Sequence, residues 1–170
     1  MATYTLINSV TVGSGGAATI DFTSIPSTYT DLLIKFSLRD DFAGAVYDNL
    51  VIRFNNITTN YSEKNLYGNG STAASASTGT TVLRYINGNT STSNTFGNGE
   101  MYIPNYAGST NKSASIDTVT ENNGTEAWAS LNALLWSNTS AITSVKLTPS
   151  SGTLFLQYST ATLYGISNGS

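Results

Sequence analysis

The side chains able to do chemistry are few, and their spacing joins none of them into a familiar reaction centre. Asp40, Asp41 and Asp48 fall close together with Asn49 beside them. Clustered oxygen ligands suit calcium, but the regular spacing of a calcium loop is missing, so the segment reads as a connecting loop with solvated carboxylates. Glycosidic hydrolysis needs two carboxyl groups facing each other across a cleft. Glu100, Glu121 and Glu126 are available, and nothing in the sequence sets them opposite one another. Gly13-Ser14-Gly15-Gly16 follows an extended run. It lacks the helix and the Lys-Ser/Thr pair that a phosphate cradle uses. Gly68-Asn69-Gly70 and Gly97-Asn98-Gly99 read as turns that need positive φ. Asn-x-Ser/Thr triplets are frequent, among them those at Asn56, Asn60, Asn69, Asn89, Asn111, Asn123 and Asn138, as the Ser and Thr content generates by chance.

The missing residue types exclude more. The chain has no histidine and no cysteine. That removes the Ser-His-Asp triad, the HExxH metal site, thiolate zinc, the thiol nucleophile and any disulfide framework. Seven scattered basic residues against ten acidic ones cannot form the basic footprint of a nucleic-acid binder. No apolar run reaches the ~18 residues of a membrane-spanning helix. Met1-Ala-Thr-Tyr-Thr has neither the basic nor the apolar region of a signal peptide. The expectation is a protein that is not an enzyme, with no cofactor, no metal, no nucleic-acid partner and no membrane partner. What remains is a structural or binding role. Aromatic residues are its best currency, and Tyr47, Tyr61, Tyr67 and Tyr106, in or near loops, are the candidates for partner contact.

The elements that position these groups show a period of two almost throughout. In 170 residues, 82 are Ser, Thr, Asn or Gly and only 10% are charged. Yet 39% are hydrophobic and grouped in short alternating runs, which is the signature of a folded β protein and not of a disordered polar chain. Strands are predicted at 4–12, 18–22, 31–39, 48–55, 81–86, 100–103, 114–120, 127–136, 144–148 and 153–166, the last bending near Ser159-Thr160. In the third, Leu32, Ile34, Phe36 and Leu38 face inward while Leu33, Lys35, Ser37 and Arg39 face out. In the fourth, Leu50, Ile52 and Phe54 face inward. Ile25 to Tyr29 reads as a loop because Pro26 lacks a ladder donor. Residues 56–79 read as a long surface loop with one helical turn around Glu63 to Leu66. Strands without intervening helices imply a single antiparallel β-sandwich over 1–170, jelly-roll-like, with about 8–10 strands. Residues 1–12 form its first strand or an N-terminal arm free to pair with an exposed sheet edge.

One strand is apolar on both faces. Ala127, Ala129, Leu131, Ala133 and Leu135 make a face of small and aliphatic residues suited to a sandwich interior. Trp128, Ser130, Asn132, Leu134 and Trp136 make the other, which carries both tryptophans. Such a strand is seldom half-exposed. Its tryptophan face is covered by a long loop, packs on another subunit, or stands open as a sugar-stacking platform. The candidate interface is therefore Trp128, Leu134 and Trp136, together with Tyr4 and Leu6 of the arm.

Two segments carry a resemblance. They are Ile20-Asp21-Phe22-Thr23-Ser24-Ile25-Pro26-Ser27-Thr28-Tyr29-Thr30-Asp31-Leu32, and Ile142-Thr143-Ser144-Val145-Lys146-Leu147 running through Ser151-Gly152 to Thr162-Leu163-Tyr164-Gly165-Ile166. With the hydroxyl-rich strands between them, they resemble small virion structural proteins of tailed bacteriophages, of the capsid-decorating or tail-fibre-like kind. The resemblance implies a β-sandwich on a phage particle, made in the host cytoplasm and commonly trimeric. Its implied partners are copies of itself, the major capsid protein or another virion protein, and, in the fibre-like case, a host glycan. It carries no catalytic residues.

Overall fold

The computed structural model describes residues 1–79, 82–123 and 127–167. They form an all-β sandwich of twelve antiparallel strands and no helix. The strands are β1 (Thr3–Thr11), β2 (Ile20–Phe22), β3 (Asp31–Leu38), β4 (Tyr47–Phe54), β5 (Tyr61–Gly68), β6 (Ala73–Thr78), β7 (Val82–Asn87), β8 (Gly97–Pro104), β9 (Lys112–Thr120), β10 (Trp128–Trp136), β11 (Val145–Pro149) and β12 (Thr160–Ser167). An eight-stranded sheet runs β1-β12-β3-β8-β9-β10-β5-β6, and a four-stranded sheet runs β2-β11-β4-β7. From β1 to β4 the chain changes sheet at every step. The hairpins β5–β6 and β9–β10 lie on the far side of β8 and widen the larger sheet.

The alternating runs explain most of this. Leu32, Ile34, Phe36 and Leu38 of β3 face Leu50, Ile52 and Phe54 of β4 across the core, all at most 5% exposed. The strand expected over 153–166 is only half present: β12 begins at Thr160, and residues 153–159 are irregular apart from bridges of Phe155 to Ala17 and Asp40.

Three further readings are corrected. Residues 56–79 are not a surface loop with a helical turn: they supply β5 and β6, which brings the strands to twelve. Tyr61, Glu63 and Asn65 are buried while Ser62, Lys64 and Leu66 are exposed. That is a period of two, masked because polar residues occupy its inner positions. Gly97-Asn98-Gly99 is not a turn but the start of β8. Glycine is needed there for space. A Cβ on Gly99 would lie 2.4 Å from the Asp117 carbonyl and 2.7 Å from the Phe36 ring, and one on Gly97 3.0 Å from the Ile86 Cα. Gly68-Asn69-Gly70 is a turn, and Gly70 has φ of 86°. The segment 1–12 is laid along β12 as an edge strand, with Thr3 opposite Ser167. A register shift between Leu6 and Asn8 breaks its alternation, so Ile7 and Val10 reach the core while Tyr4 and Leu6 face solvent. Arg39, finally, does not face out: it is 6% exposed.

Candidate interaction face and buried polar centres

Strand β10 places its two faces opposite to the expectation. Leu134 and Trp136 are buried, at 2% and 0% exposure, and so are Ser130 and Asn132. The outward face is the aliphatic one, with Leu131 61% and Leu135 39% exposed. The inner polar residues are accommodated by hydrogen bonds: Ser130 shares one with Thr118 at 2.7 Å, and Asn132 Nδ2 donates to Ser130 Oγ and the Ile116 carbonyl. A buried hydroxyl or amide with partners costs little, whereas exposed leucines remain unexplained by the monomer.

The tryptophans anchor two aromatic clusters between the sheets. Trp128, half-buried, lies 5.3 Å from Tyr47, 5.0 Å from Tyr85 and 6.3 Å from Tyr67 by ring centroids. Trp136 lies 5.7 Å from Phe54 and 6.0 Å from Tyr61. These separations are those of favourable aromatic pairs. Four candidate contact tyrosines are thus internal or inward-packed. Tyr47 and Tyr67 belong to the first cluster. Tyr61 is buried and its hydroxyl accepts the Phe54 N–H at 2.8 Å. Tyr106 is fully buried, accepting the Tyr29 N–H and donating to the Pro26 carbonyl. Burial removes Leu134, Trp136, Tyr61 and Tyr106 from the candidate partner surface, while Trp128, Tyr47 and Tyr67 are half-buried in the first cluster. Proximity to a loop in sequence misled because Tyr47 belongs to β4 and Tyr61 and Tyr67 to β5.

Tyr4 and Leu6 stay exposed, at 60% and 58%, and they have company. Among the described residues, the large exposed hydrophobics are Met1, Tyr4, Leu6, Leu66, Tyr102, Val119, Leu131, Leu135 and Tyr158. All but Met1 and Tyr158 lie on the outer face of the eight-stranded sheet, the face turned away from the four-stranded sheet. Cross-strand pairing puts Asp117, Leu131, Leu66 and Ser75 in one row and Ser115, Ala133, Lys64 and Ser77 in the next. A trough of about 790 Å³ follows these rows over β9, β10, β5 and β6. A second, of about 670 Å³, continues it past Val119 and Ala129. Lys64 stands at one side, hydrogen-bonded to Ser77. Asp117 stands at the other, its carboxyl pushed above the usual range by burial and then by Glu100.

At the opposite end of the same face, Tyr4, Tyr102 and Tyr164 surround a hollow of about 520 Å³. Its floor is Leu33 and Ile166, 8% and 5% exposed. The Lys35–Glu100 ion pair, 2.9 Å long, borders it. The Tyr102 ring is fixed by a 2.8 Å hydrogen bond from its hydroxyl to Asp31.

The acidic residues are not a solvated loop. Asp40 is 0% and Asp48 2% exposed. Asp48 accepts N–H bonds from Ser151 and Gly152, and Asp41 from Thr153 and Leu154. Asp41 and Asp48 therefore tie residues 151–154 to the β3–β4 connection and to the start of β4. Burial, then the facing Asp48 carboxyl, pushes Asp40 up to about 8. Asp48 is held below its usual value by the bond from Asp40 and by the backbone donors, against its own burial. A single proton on Asp40 gives its Oδ2, otherwise without a donor, a bond to Asp48. No group of three or more acidic side chains among the described residues is arranged to hold a metal ion. Glu100 pairs with Lys35, Glu121 accepts the Asn123 N–H, and Glu126 lies outside the described residues.

Arg39 is the second buried polar centre. Its guanidinium donates to the carbonyls of Asn89, Ser91, Thr92 and Thr95 at 2.6–3.2 Å. One cation thus organises the whole 89–95 loop. Its planar fork suits this many acceptors, which a lysine could not reach together.

No family model, curated protein or solved structure matches the chain. The functional reading therefore rests on the residues and their arrangement.

Proposed function

We propose that the chain is a non-enzymatic structural protein of a bacteriophage particle, a capsid decoration protein that joins copies of itself and binds the shell. The observation that carries this reading is the outer face of the eight-stranded sheet. It gathers seven exposed large hydrophobics on one surface, and contiguous apolar surface of this kind marks an interaction site. The resemblance of residues 20–32 and 142–166 to small virion proteins supplies the setting and implies a trimer. A jelly-roll reading of the fold is supported by strand order: without the two hairpins, β1-β12-β3-β8 faces β2-β11-β4-β7. Binding only the assembled shell stabilises that state by mass action.

The test is antibody-gold labelling of particles from the phage that encodes the chain. Dense label over the head is expected, and label confined to the tail tip or absent from particles would overturn the reading. The N-terminal strand is part of the prediction. β1 has an open outer edge and no charged residue, so deletion of Ala2 to Leu6 is expected to lower shell occupancy. Unchanged occupancy would remove that strand from the contact.

A glycan-recognising tail-fibre module is the second reading. The hollow between Tyr4, Tyr102 and Tyr164 favours it, because rings on a fixed strand can stack on a sugar while Lys35 and Glu100 bond its hydroxyls. A glycan array with wild type and a Tyr4→Ala/Tyr102→Ala variant tests it: binding by wild type alone supports it, and an empty array rejects it.

A further inference from the structure

We infer that the trough over β9, β10, β5 and β6 is a docking surface for a second copy of this chain, joined face to face about a two-fold axis running along β10. This uses the face named in the proposed function, but it does not depend on a virion.

The trough is uncovered in the monomer. Its floor is Ala129, Ala133, Ser115 and Ser75, with Leu66 and Leu131 standing 61% exposed above it. Small residues between leucines let a second sheet approach to the ~10 Å of packed sheets while leucines interdigitate. An occupant must bury leucines without leaving charges unpaired, and the trough carries one charge of each sign. Lys64 lies on β5 and Asp117 on β9, on opposite sides of β10. The chain's own face therefore presents the charge pattern that its face requires.

Symmetry then selects the axis. A two-fold axis along β10 lays β9 of one copy over β5 of the other. Leu131 meets its own equivalent near the axis. Lys64 comes one row from the partner's Asp117, ~7 Å along the strand and within a lysine's reach, and the contact occurs twice. A two-fold axis across the strands lays β9 on β9 and β5 on β5, setting like charge against like. Only the first arrangement pairs the charges. Two-fold pairing departs from the threefold assembly that the resemblance implies.

Light scattering after gel filtration, with sedimentation equilibrium, tests this on the full chain. A dimer is expected. Leu131→Asp should give a folded monomer, its melting temperature lowered modestly by loss of the partner copy and by the Asp117 carboxylate on the neighbouring strand. Lys64→Asp alone and Asp117→Lys alone should each weaken the dimer by about tenfold or more, each placing two like-charge pairs in the interface. Mixing those two variants should restore association as a heterodimer, and the double variant Lys64→Asp/Asp117→Lys should restore the homodimer. A monomeric wild type, a trimer, a dimer indifferent to Leu131→Asp, or single reversals that the mixture does not rescue would each overturn the inference. A monomer on a labelled capsid would sink this pairing alone, and a dimer absent from particles would sink the virion reading alone.

Discussion

Asp40 shows how much a single buried proton can govern. Unfolded, its carboxyl ionises near the usual ~4; folded, it keeps its proton to about 8. Between those values the native state binds one proton more than the unfolded chain, so stability falls as pH rises through that window. Asp48 acts in the opposite sense at lower pH, where its depressed pKa makes its contribution fade as pH falls. Melting temperature is therefore expected to decline from about pH 5 to about pH 8. Asp40→Asn should flatten that slope and raise stability at the alkaline end, because the amide supplies a permanent donor toward Asp48 while its oxygen still accepts the Phe42 N–H at 3.1 Å. A wild type with a flat profile would contradict the shared proton. At Arg39, replacement by lysine leaves most of four loop carbonyls without their present donor. Hydrogen bonds to charged groups contribute roughly 1.5–3 kcal/mol, so Arg39→Lys should cost about 2 kcal/mol or more in denaturant unfolding and raise amide exchange across residues 89–95.

At the scale of the strand, β10 is the informative element and the one whose orientation the alternation could not give. Two apolar faces were legible in its alternation. Which face meets the core was not legible, because average hydrophobicity favoured the alanine–leucine side. The decision is made by aromatic size and by neighbours remote in sequence: Phe54 and Tyr61 receive Trp136, and Thr118 receives Ser130. The same cause hid β5, whose buried positions Glu63 and Asn65 are polar. Glu63 is satisfied by Asn65 at 3.1 Å and Thr78 at 3.0 Å, partners that a linear pattern does not announce. By contrast, β3 and β4 were readable because each buries an unbroken aliphatic and aromatic series against the other. Trp136→Ala should cost about 3–5 kcal/mol by emptying a buried site, whereas Leu131→Asp, five residues away on the other face and beside Asp117, should cost the monomer less than about 1 kcal/mol. Equal destabilisation by the two would refute the assignment of faces. Gly99→Ala should also destabilise, as its Cβ would collide with the Asp117 carbonyl.

For the whole molecule, cohesion comes from apolar packing and hydrogen bonds, with little from ion pairs. Among the described residues the ion pairs are Lys35–Glu100 and Lys146–Asp21, both partly or well exposed. Exposed pairs contribute little and are screened by salt, so folding stability should change by less than about 1 kcal/mol between dilute buffer and molar sodium chloride, while the charge-paired dimer weakens over the same range. Parallel salt titrations of melting and of association separate the two. The pairing of β1 with β12 has a mechanical consequence. Thr3 stands opposite Ser167, so both ends of the sandwich leave from the same corner. A pull applied through the two ends would load the ladder one rung at a time, like a zipper, and would part it at low force. A load spread over the broad outer face would instead press the two sheets together.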